Sequence, residues 1–488
     1  MVIESLKYKI LQQFGFAPTQ EQGQALDTFV SFLTDRDPQA VMILRGSAGT
    51  GKTSLSGAIV RTLLQIRQKV MLLAPTGRAA KVFSLGSGAP AYTIHRRIYR
   101  EKAFAGVDGQ FSLNDNLYTD TLFMVDEASM IANMGLGGTT FGSGCLLDDL
   151  VKFVYQGHNN RLLLIGDKAQ LPPVGEEESP ALSASVMEGY GLKVYECDLN
   201  EVLRQSQSSG ILYNATLIRQ MITHDAVTGL PLIRFKGFAD IVMMPGAELV
   251  ESLGDSYHHV GMDETMVITR SNKRANIYNN GIRNMVLDRE EELSSGDMLM
   301  IVKNNYFWTE KEKKESGEGS AGAVPAFLAN GDRAKVLRVS NYIELYGFRF
   351  AKLLLQLPDY DDYEMQVTGM LDTLQSEAPA LTHEQQEELF RQVEEDYQHF
   401  VPLKADRMKS IRQDAYFNAL QIKYAYAVTC HKAQGGQWAH VYVDQGYMTD
   451  DMLTPDYIHW LYTAFTRATD KLFLVNWPKE QTCEPTDL

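Results

Sequence analysis

The sequence predicts an α/β protein built on parallel strands, and three observations carry that prediction. Gly46-Ser47-Ala48-Gly49-Thr50-Gly51-Lys52-Thr53 fits the phosphate-loop pattern GxxxxGK[ST] at every required position. It lies between an apolar run, Val41-Met42-Ile43-Leu44, and a helical stretch from Ser54 to Leu64, the strand–loop–helix context that the motif needs. The unit of apolar strand and polar turn then recurs at Val70–Leu73, Leu122–Val125 and Leu162–Ile165, which is the alternation of a βαβ fold.

The chain has 488 residues, more than one ordinary core holds, so about two to four domains are expected. Its 44% apolar and 22% charged residues are those of a globular protein. No apolar run is long enough to span a bilayer, and Glu4, Lys7 and Lys9 interrupt the start where a signal peptide would be apolar. A cytoplasmic protein without a membrane partner is the expectation. Cys145, Cys197, Cys430 and Cys483 are scattered without ligand spacing, which supports neither a disulfide framework nor a zinc site. The formal charge of −15 argues against a nucleic-acid partner as a sum, but its distribution does not. Between Arg61 and Phe104 lie nine cationic residues and only one carboxylate, Glu101, while acid gathers at Asp359–Glu364 and Glu384–Asp396.

Residues 1–36 read as helical. Thr19 caps the helix that starts there, and Gln22, three residues on, fits two roles: closing a capping box or reading the adenine edge of a nucleotide. In the phosphate loop, Gly46 to Ser54 form the expected nucleotide-binding set. Glycines let backbone N–H groups face the phosphates, Lys52 adds a point charge, and Thr53 offers a hydroxyl to Mg²⁺. ATP and Mg²⁺ are thus the predicted cofactors.

The strand Val70–Leu73 runs into Ala74-Pro75-Thr76-Gly77-Arg78, a loop of the kind that binds ligands at the carboxyl ends of parallel strands. Thr93-Ile94-His95-Arg96-Arg97 follows. Asp108-Gly109, between segments holding Phe104 and Phe111, signals a hairpin turn. Leu122–Val125 delivers Asp126 and Glu127, one carboxylate to hold Mg²⁺ and one to orient or deprotonate the attacking water. Residues 131–146 are rich in glycine and read as a mobile loop, with a helix to about Tyr155 beyond it. After Leu162–Ile165 comes Gly166-Asp167-Lys168-Ala169-Gln170-Leu171-Pro172-Pro173, where the prolines stiffen the loop exit and hold Gln170 near the nucleotide.

With these residues in place the chain resembles a superfamily 1 helicase of the RecD-like, Dda-like branch. GSAGTGKT, APTGRAAK, TIH, DEAS and GDKAQLPPVG are joined further on by EVLRQ, YAYAVTCHKAQG and YTAFTRA, in matching order and spacing over most of the chain. The resemblance implies that Arg204 and Arg467 reach the γ-phosphate, that Gly435 lies at the nucleotide, and that DNA is held by loops holding Pro75, Thr76, Thr93, His95 and His431. Ala433 stands where the family usually has Ser, which removes a hydroxyl from that position.

The remaining elements fit that frame. Met266–Thr269 reads as a strand, with Ser271-Asn272 capping the next helix. Met298–Val302 and Ala334–Val339 read as strands of a small barrel with turns at Gly296-Asp297 and Asn330-Gly331-Asp332, and Thr309–Ala323 between them reads as disordered. Thr382 and Gln385 open an acidic helix whose Leu389, Val393 and Tyr397 share a face. Tyr424–Thr429, His440–Asp444 and Lys471–Val475 are further strands.

The resemblance then implies two RecA-like P-loop domains. The first covers 1–200, with a hairpin or pin inserted at about 85–118. The second covers 201–293 and 405–488, and a barrel-like, SH3-like subdomain with an acidic helical extension is inserted at 294–404. The implied activity is ATP-driven translocation on single-stranded DNA, 5′ to 3′, with unwinding of forked duplexes by a monomer, as in replication, repair and recombination. Phe104 and Phe111 are the rings that could stack on the last base pair. An RNA helicase or remodelling ATPase of the same superfamily, and a non-hydrolysing nucleic-acid scaffold, are the competing readings. The intact Lys52, Glu127 and arginines weigh against the scaffold.

Overall fold

The computed structural model describes residues 2–105, 108–134, 142–201, 208–223, 229–316, 324–325, 327–449 and 452–483. The chain divides into two compact units. The first comprises Met1–Phe104, Asp108–Gly246 and Ala433–Leu488, and the second comprises Ala105–Val107 and Ala247–Lys432.

In the first unit the strands are β1 (Ala40–Gly46), β2 (Lys69–Ala74), β3 (Ala91–Thr93), β4 (Tyr99–Ala105), β5 (Asp108–Leu113), β6 (Thr121–Val125), β7 (Arg161–Gly166) and β8 (Lys193–Leu199). Six of them form one parallel sheet in the order β3-β2-β6-β7-β1-β8. All residues of β1, β6 and β7 are buried, as in a sheet covered on both faces, and this is why they read as unbroken apolar runs. One face packs Leu26, Phe29 and Val30 of the helix Gln20–Thr34, with Leu55, Ile59 and Leu63 of the helix Lys52–Gln65, on Met42, Leu44 and Met124. The other face packs Leu150, Phe153 and Val154 of the helix Leu146–Gln156 on Val41, Phe123 and Leu164. Since Leu44 pairs with Ile165 and Val125 with Leu164, the loops after β1, β6 and β7 leave the sheet side by side at its carboxyl edge. A further parallel set in this unit joins Trp438–Asp444 to Ala468–Val475 and that strand to Ile241–Met244.

β4 and β5 pair as a two-stranded sheet, so the expected hairpin is present. Asp108 and Gly109 are the first residues of β5 and not its preceding turn, and residues 106 and 107 lie outside the described set. Residues 135–141 of the expected glycine-rich loop also lie outside the described residues.

The second unit contains the expected barrel, closed by Met298–Ile301, Arg333–Leu345, Phe348–Leu357, Tyr363–Met370 and Leu420–Tyr424. Its pairs are antiparallel except the last, where Gly369 and Met370 run parallel to Leu420 and Gln421. Thr382 and Gln385 close a capping box on the helix His383–Gln398, which buries Leu389 and Val393 in a cluster with Phe350. Two expectations fail here. Phe307–Ser316 is a helix where disorder was expected from Thr309, with Trp308 buried and its indole N–H donating to the Asn418 carbonyl at 2.9 Å. One buried aromatic anchor outweighs the polar composition around it. Tyr424–Thr429 is not one strand: Leu420–Tyr424 closes the barrel, and Ala427–Thr429 pairs in parallel with Thr265–Thr269.

Candidate active site

The phosphate loop grows out of the buried end of β1. Gly49 and Gly51 adopt left-handed backbone angles, φ 78° and 81°, that a side chain would strain, and Lys52 begins the helix directly after. That helix N-terminus points unpaired N–H groups and its partial positive charge at the loop. The Thr50 hydroxyl donates to the Ser47 carbonyl at 2.8 Å, and Lys52 Nζ donates to the carbonyls of Gly46 and, at 3.2 Å, Ser47. Thr53 and Ser54 are exposed in the first helical turn.

Gln22 takes the capping-box role. Thr19 N–H donates to its Oε1 at 3.0 Å, its own N–H donates to Thr19 Oγ1 at 3.2 Å, and its amide nitrogen donates to the Thr50 carbonyl at 2.9 Å. At 1% exposed, Gln22 ties the helix Gln20–Thr34 to the phosphate loop.

Asp126 follows β6, and its N–H donates to the Leu73 carbonyl at 3.0 Å. Its Oδ1 accepts the Glu127 N–H at 2.9 Å. Burial and the Glu127 carboxylate hold Asp126 well above the usual carboxylate range, against the pull of Lys52. Glu127 is left-handed at φ 52°, a conformation that costs a non-glycine residue about 1–2 kcal/mol and turns the chain sharply where the carboxylate pair sits.

The loop after β7 is bound by the helix Pro455–Phe465. Asp167 Oδ2 accepts the Tyr462 hydroxyl at 2.6 Å, Thr463 Oγ1 accepts the Leu171 N–H at 2.8 Å, and His459 Nδ1 lies 2.9 Å from the Ala169 carbonyl. Gln434 donates to the Leu171 carbonyl at 2.7 Å. Between these ties Gln170 is 5% exposed, and among the described residues its buried Oε1 has no hydrogen-bond partner, an acceptor open to a ligand or water.

Arg467 is 2% exposed. Its guanidinium donates to the carbonyls of Thr463 at 3.0 Å and Gly436 at 3.2 Å, and to Thr466 Oγ1 at 3.1 Å. These three bonds hold the guanidinium in place. Arg204 lies outside the described residues. Gly435 has φ 72° and packs so that a Cβ there would lie 3.1 Å from Thr76 Oγ1 and 3.0 Å from the Ala79 Cβ. The contact brings the loop Gln434–Gln437 against the loop Pro75–Arg78, and Arg78 completes it by donating to the Gln437 carbonyl at 2.6 Å and stacking 4.5 Å over Trp438.

Among the residues expected to hold DNA, Thr76 and Thr93 cap their helices, accepting the N–H groups of Ala79 at 3.2 Å and Arg96 at 3.4 Å. His95 lies 5.7 Å from the Tyr99 ring, and removal from water holds its imidazole down at about 4, so it is neutral at pH 7. His431 is exposed in the second unit. Phe111 is half-buried and packs against the core of the first unit, and the Phe104 side chain is outside the described set. Sequence reasoning missed Tyr462 and His459, whose roles come from which loop their helix meets and leave no local signature.

A phosphate loop, a carboxylate pair and the loop holding Gln170 at one edge of a parallel sheet are the arrangement of a P-loop nucleotide-binding fold. Residues 17–229 match the model of an AAA domain, and residues 424–475 match that of a UvrD-like helicase C-terminal domain. The protein R530 of Acanthamoeba polyphaga mimivirus is 22% identical over 90% of this chain and 96% of its own length. The ATP-dependent RecD2 DNA helicase of Deinococcus radiodurans is 30% identical over 32% of this chain and 18% of its own length. For the ATP-dependent DNA helicase Dda of Enterobacteria phage T4 the values are 25%, 53% and 55%, so the chain spans about half of Dda and far less of RecD2. A Pif1 helicase from Bacteroides, solved with ADP-AlF3 and single-stranded DNA, aligns over 96% of this chain and 95% of its own with 13% identity and a TM-score of 0.47. The chain is thus similar over its first part to an AAA domain, near its end to a UvrD-like helicase C-terminal domain, and over shorter stretches to the helicases RecD2 and Dda.

Among the described residues no helix is long and apolar enough to cross a membrane, and no cluster of three or more His, Cys, Asp or Glu side chains forms a metal site.

Proposed function

We propose that the protein is an ATP-dependent DNA helicase that hydrolyses ATP at the phosphate loop, translocates 5′ to 3′ on single-stranded DNA and separates the strands of forked duplexes. The observation that carries this reading is the convergence of Lys52, Asp126, Glu127 and Gln170, whose Oε1 has no partner among the described residues, on loops from adjacent strands of one sheet. The carboxylates and hydroxyl there are hard oxygen donors of the kind Mg²⁺ takes, so Thr53 and Asp126 are the proposed metal residues. Bound there, the ion would offset the charge of the β- and γ-phosphates.

In this mechanism the P-loop N–H groups and Lys52 hold the phosphates, and Glu127 accepts the proton of the attacking water. Gln170 aligns that water, accepting a hydrogen bond from it at Oε1. Arg204 and Arg467 offset charge as the leaving group departs, which for Arg467 requires exchange of its bonds to Thr463 and Gly436. The domain partition expected from the sequence, RecA-like domains at 1–200 and at 201–293 with 405–488 and an insertion at 294–404, is proposed with one change: the insertion runs on to Tyr424, because Leu420–Tyr424 closes the barrel. Single-stranded and forked DNA are the proposed partners of a monomer, with Arg96, Arg97 and the Thr76 and Thr93 loops on the backbone.

The deciding experiment measures ATP turnover with and without single-stranded DNA at low and high salt, and strand displacement on duplexes with 5′ or 3′ tails. Stimulation by DNA that weakens with salt, and displacement from 5′ tails, are expected. Turnover indifferent to nucleic acid at low salt overturns the motor, and displacement only from 3′ tails overturns the polarity.

A further inference from the structure

One buried phenol joins the phosphate loop to the loop that presents Gln170. Tyr462 is 1% exposed, and its hydroxyl donates to Asp167 Oδ2 at 2.6 Å while accepting the Ala48 N–H at 3.0 Å. Burial and the Asp167 carboxylate hold the phenol far above its ordinary range, so it stays a donor to Asp167 at any working pH.

Both neighbours are placed to transmit a change. Ala48 belongs to the loop whose N–H groups face phosphate, and its peptide unit is the one whose carbonyl, that of Ser47, receives Lys52 Nζ at 3.2 Å. A P-loop lysine reaches the β- and γ-phosphates, so the Ala48 N–H lies at the terminal-phosphate end of the loop. On the other side, Asp167 holds the turn ahead of Gln170: its Oδ1 accepts the Ala169 N–H at 3.0 Å and its carbonyl accepts the Gln170 N–H at 3.3 Å. Thr463, the next residue along, fixes the far end of the same turn through the Leu171 N–H.

We propose that Tyr462 is a positioning residue that couples the terminal phosphate to Gln170. A γ-phosphate oxygen competes for the Ala48 N–H; the hydroxyl, released on that side, is left with Asp167 alone, and the turn carrying Gln170 resets. A diphosphate leaves the Ala48 bond in place. The inference rests on the reading that this loop hydrolyses ATP.

Tyr462→Phe keeps the buried ring and removes only the hydroxyl. Expected is a KM for ATP that is unchanged or lower, because a competitor for the Ala48 N–H is gone. Turnover is expected to fall about 10- to 100-fold, the scale of a misplaced catalytic group. Asp167→Asn is expected to give the same split, and the double variant is expected to be no slower than the slower single one. Unchanged turnover in Tyr462→Phe overturns the proposal. So do a turnover loss matched by a raised KM and a lowered melting temperature, which marks a packing role, and losses that multiply in the double variant. Wild-type protein that fails to hydrolyse ATP overturns the proposed function itself, and this inference with it.

Discussion

The side-chain amide of Gln22 donates to the Thr50 carbonyl of the phosphate loop at 2.9 Å, while its Oε1 closes a capping box with Thr19. One residue therefore starts a helix and steadies the loop. Gln22→Ala removes both, and a loss of about 1–2 kcal/mol in stability is expected, the worth of a cap with a buried hydrogen bond. KM for ATP should rise with it as the loop loosens. Chemical denaturation and steady-state kinetics on the same preparation check this, and an unchanged denaturation midpoint contradicts the tie.

Lys52 and Glu127 sit on different loops of the same edge and have separable tasks. Lys52→Ala is expected to abolish hydrolysis. Glu127→Gln keeps the shape of the side chain and of the left-handed turn, so ATP binding should survive while hydrolysis slows by about 10² to 10⁴, the usual contribution of an acid–base group. Nucleotide binding measured by fluorescence beside single-turnover hydrolysis separates the two variants. Rapid hydrolysis in Glu127→Gln moves the base elsewhere.

Arg467 gives a different signature from an exposed finger. Its guanidinium holds together the Thr463 and Gly436 carbonyls in a buried setting, so Arg467→Ala is expected to lower the melting temperature as well as turnover. If the side chain also meets the γ-phosphate, turnover falls by about 10³ to 10⁵, beyond what the stability loss explains at a temperature where the variant is folded. Turnover that tracks only the folded fraction confines Arg467 to structure.

The candidate site was legible because its parts are contiguous in sequence. Gly46 to Thr53, Asp126-Glu127 and Gly166–Gln170 each follow a buried strand, and a parallel sheet brings such loops to one edge. What was hidden depends on contacts between distant segments. Tyr462 reads as a helix residue until its hydroxyl is seen on Asp167, 295 positions away, and nothing local in the sequence shows that Arg467 also bonds to Gly436 and Thr463. The helix at Phe307–Ser316 escaped because composition averages over the segment, while the fold anchors it through Trp308.

His95 was expected beside DNA, and its charge state now limits what it does there. Its imidazole, held at about 4 against an ordinary value near 6.5, stays neutral while the unfolded chain takes up a proton as pH falls through 6.5. Its contribution to stability is therefore present above about pH 6.5 and is lost as pH falls towards 4. His95→Gln is expected to make the protein more resistant to acid unfolding and to leave the salt dependence of DNA binding at pH 7 unchanged. Arg96→Ala should instead reduce the slope of log affinity against log salt by about one. A shallower slope in His95→Gln means that the imidazole is charged when DNA is bound.

The hairpin of β4 and β5 is the remaining candidate for strand separation, and its two phenylalanines no longer stand equal. Phe111 packs against the core that holds Phe123 and Phe153, and its carbonyl accepts the Gly142 N–H at 2.8 Å, so its ring belongs to the body of the unit. Phe111→Ala is expected to cost about 2 kcal/mol, less than a fully buried Phe, and to lower ATP turnover and unwinding together. Phe104 lies in β4 on the other strand of the hairpin, and it keeps the wedge role proposed from the sequence. A base stacked on an aromatic ring is worth about 1–3 kcal/mol, enough to decide whether the last base pair stays closed. Phe104→Ala should leave DNA-stimulated ATP turnover and melting temperature near those of the wild type and reduce displacement of a forked duplex. Full unwinding by Phe104→Ala removes the hairpin's aromatic from the mechanism, whereas a parallel fall in melting temperature and both activities gives Phe104 the packing role of Phe111.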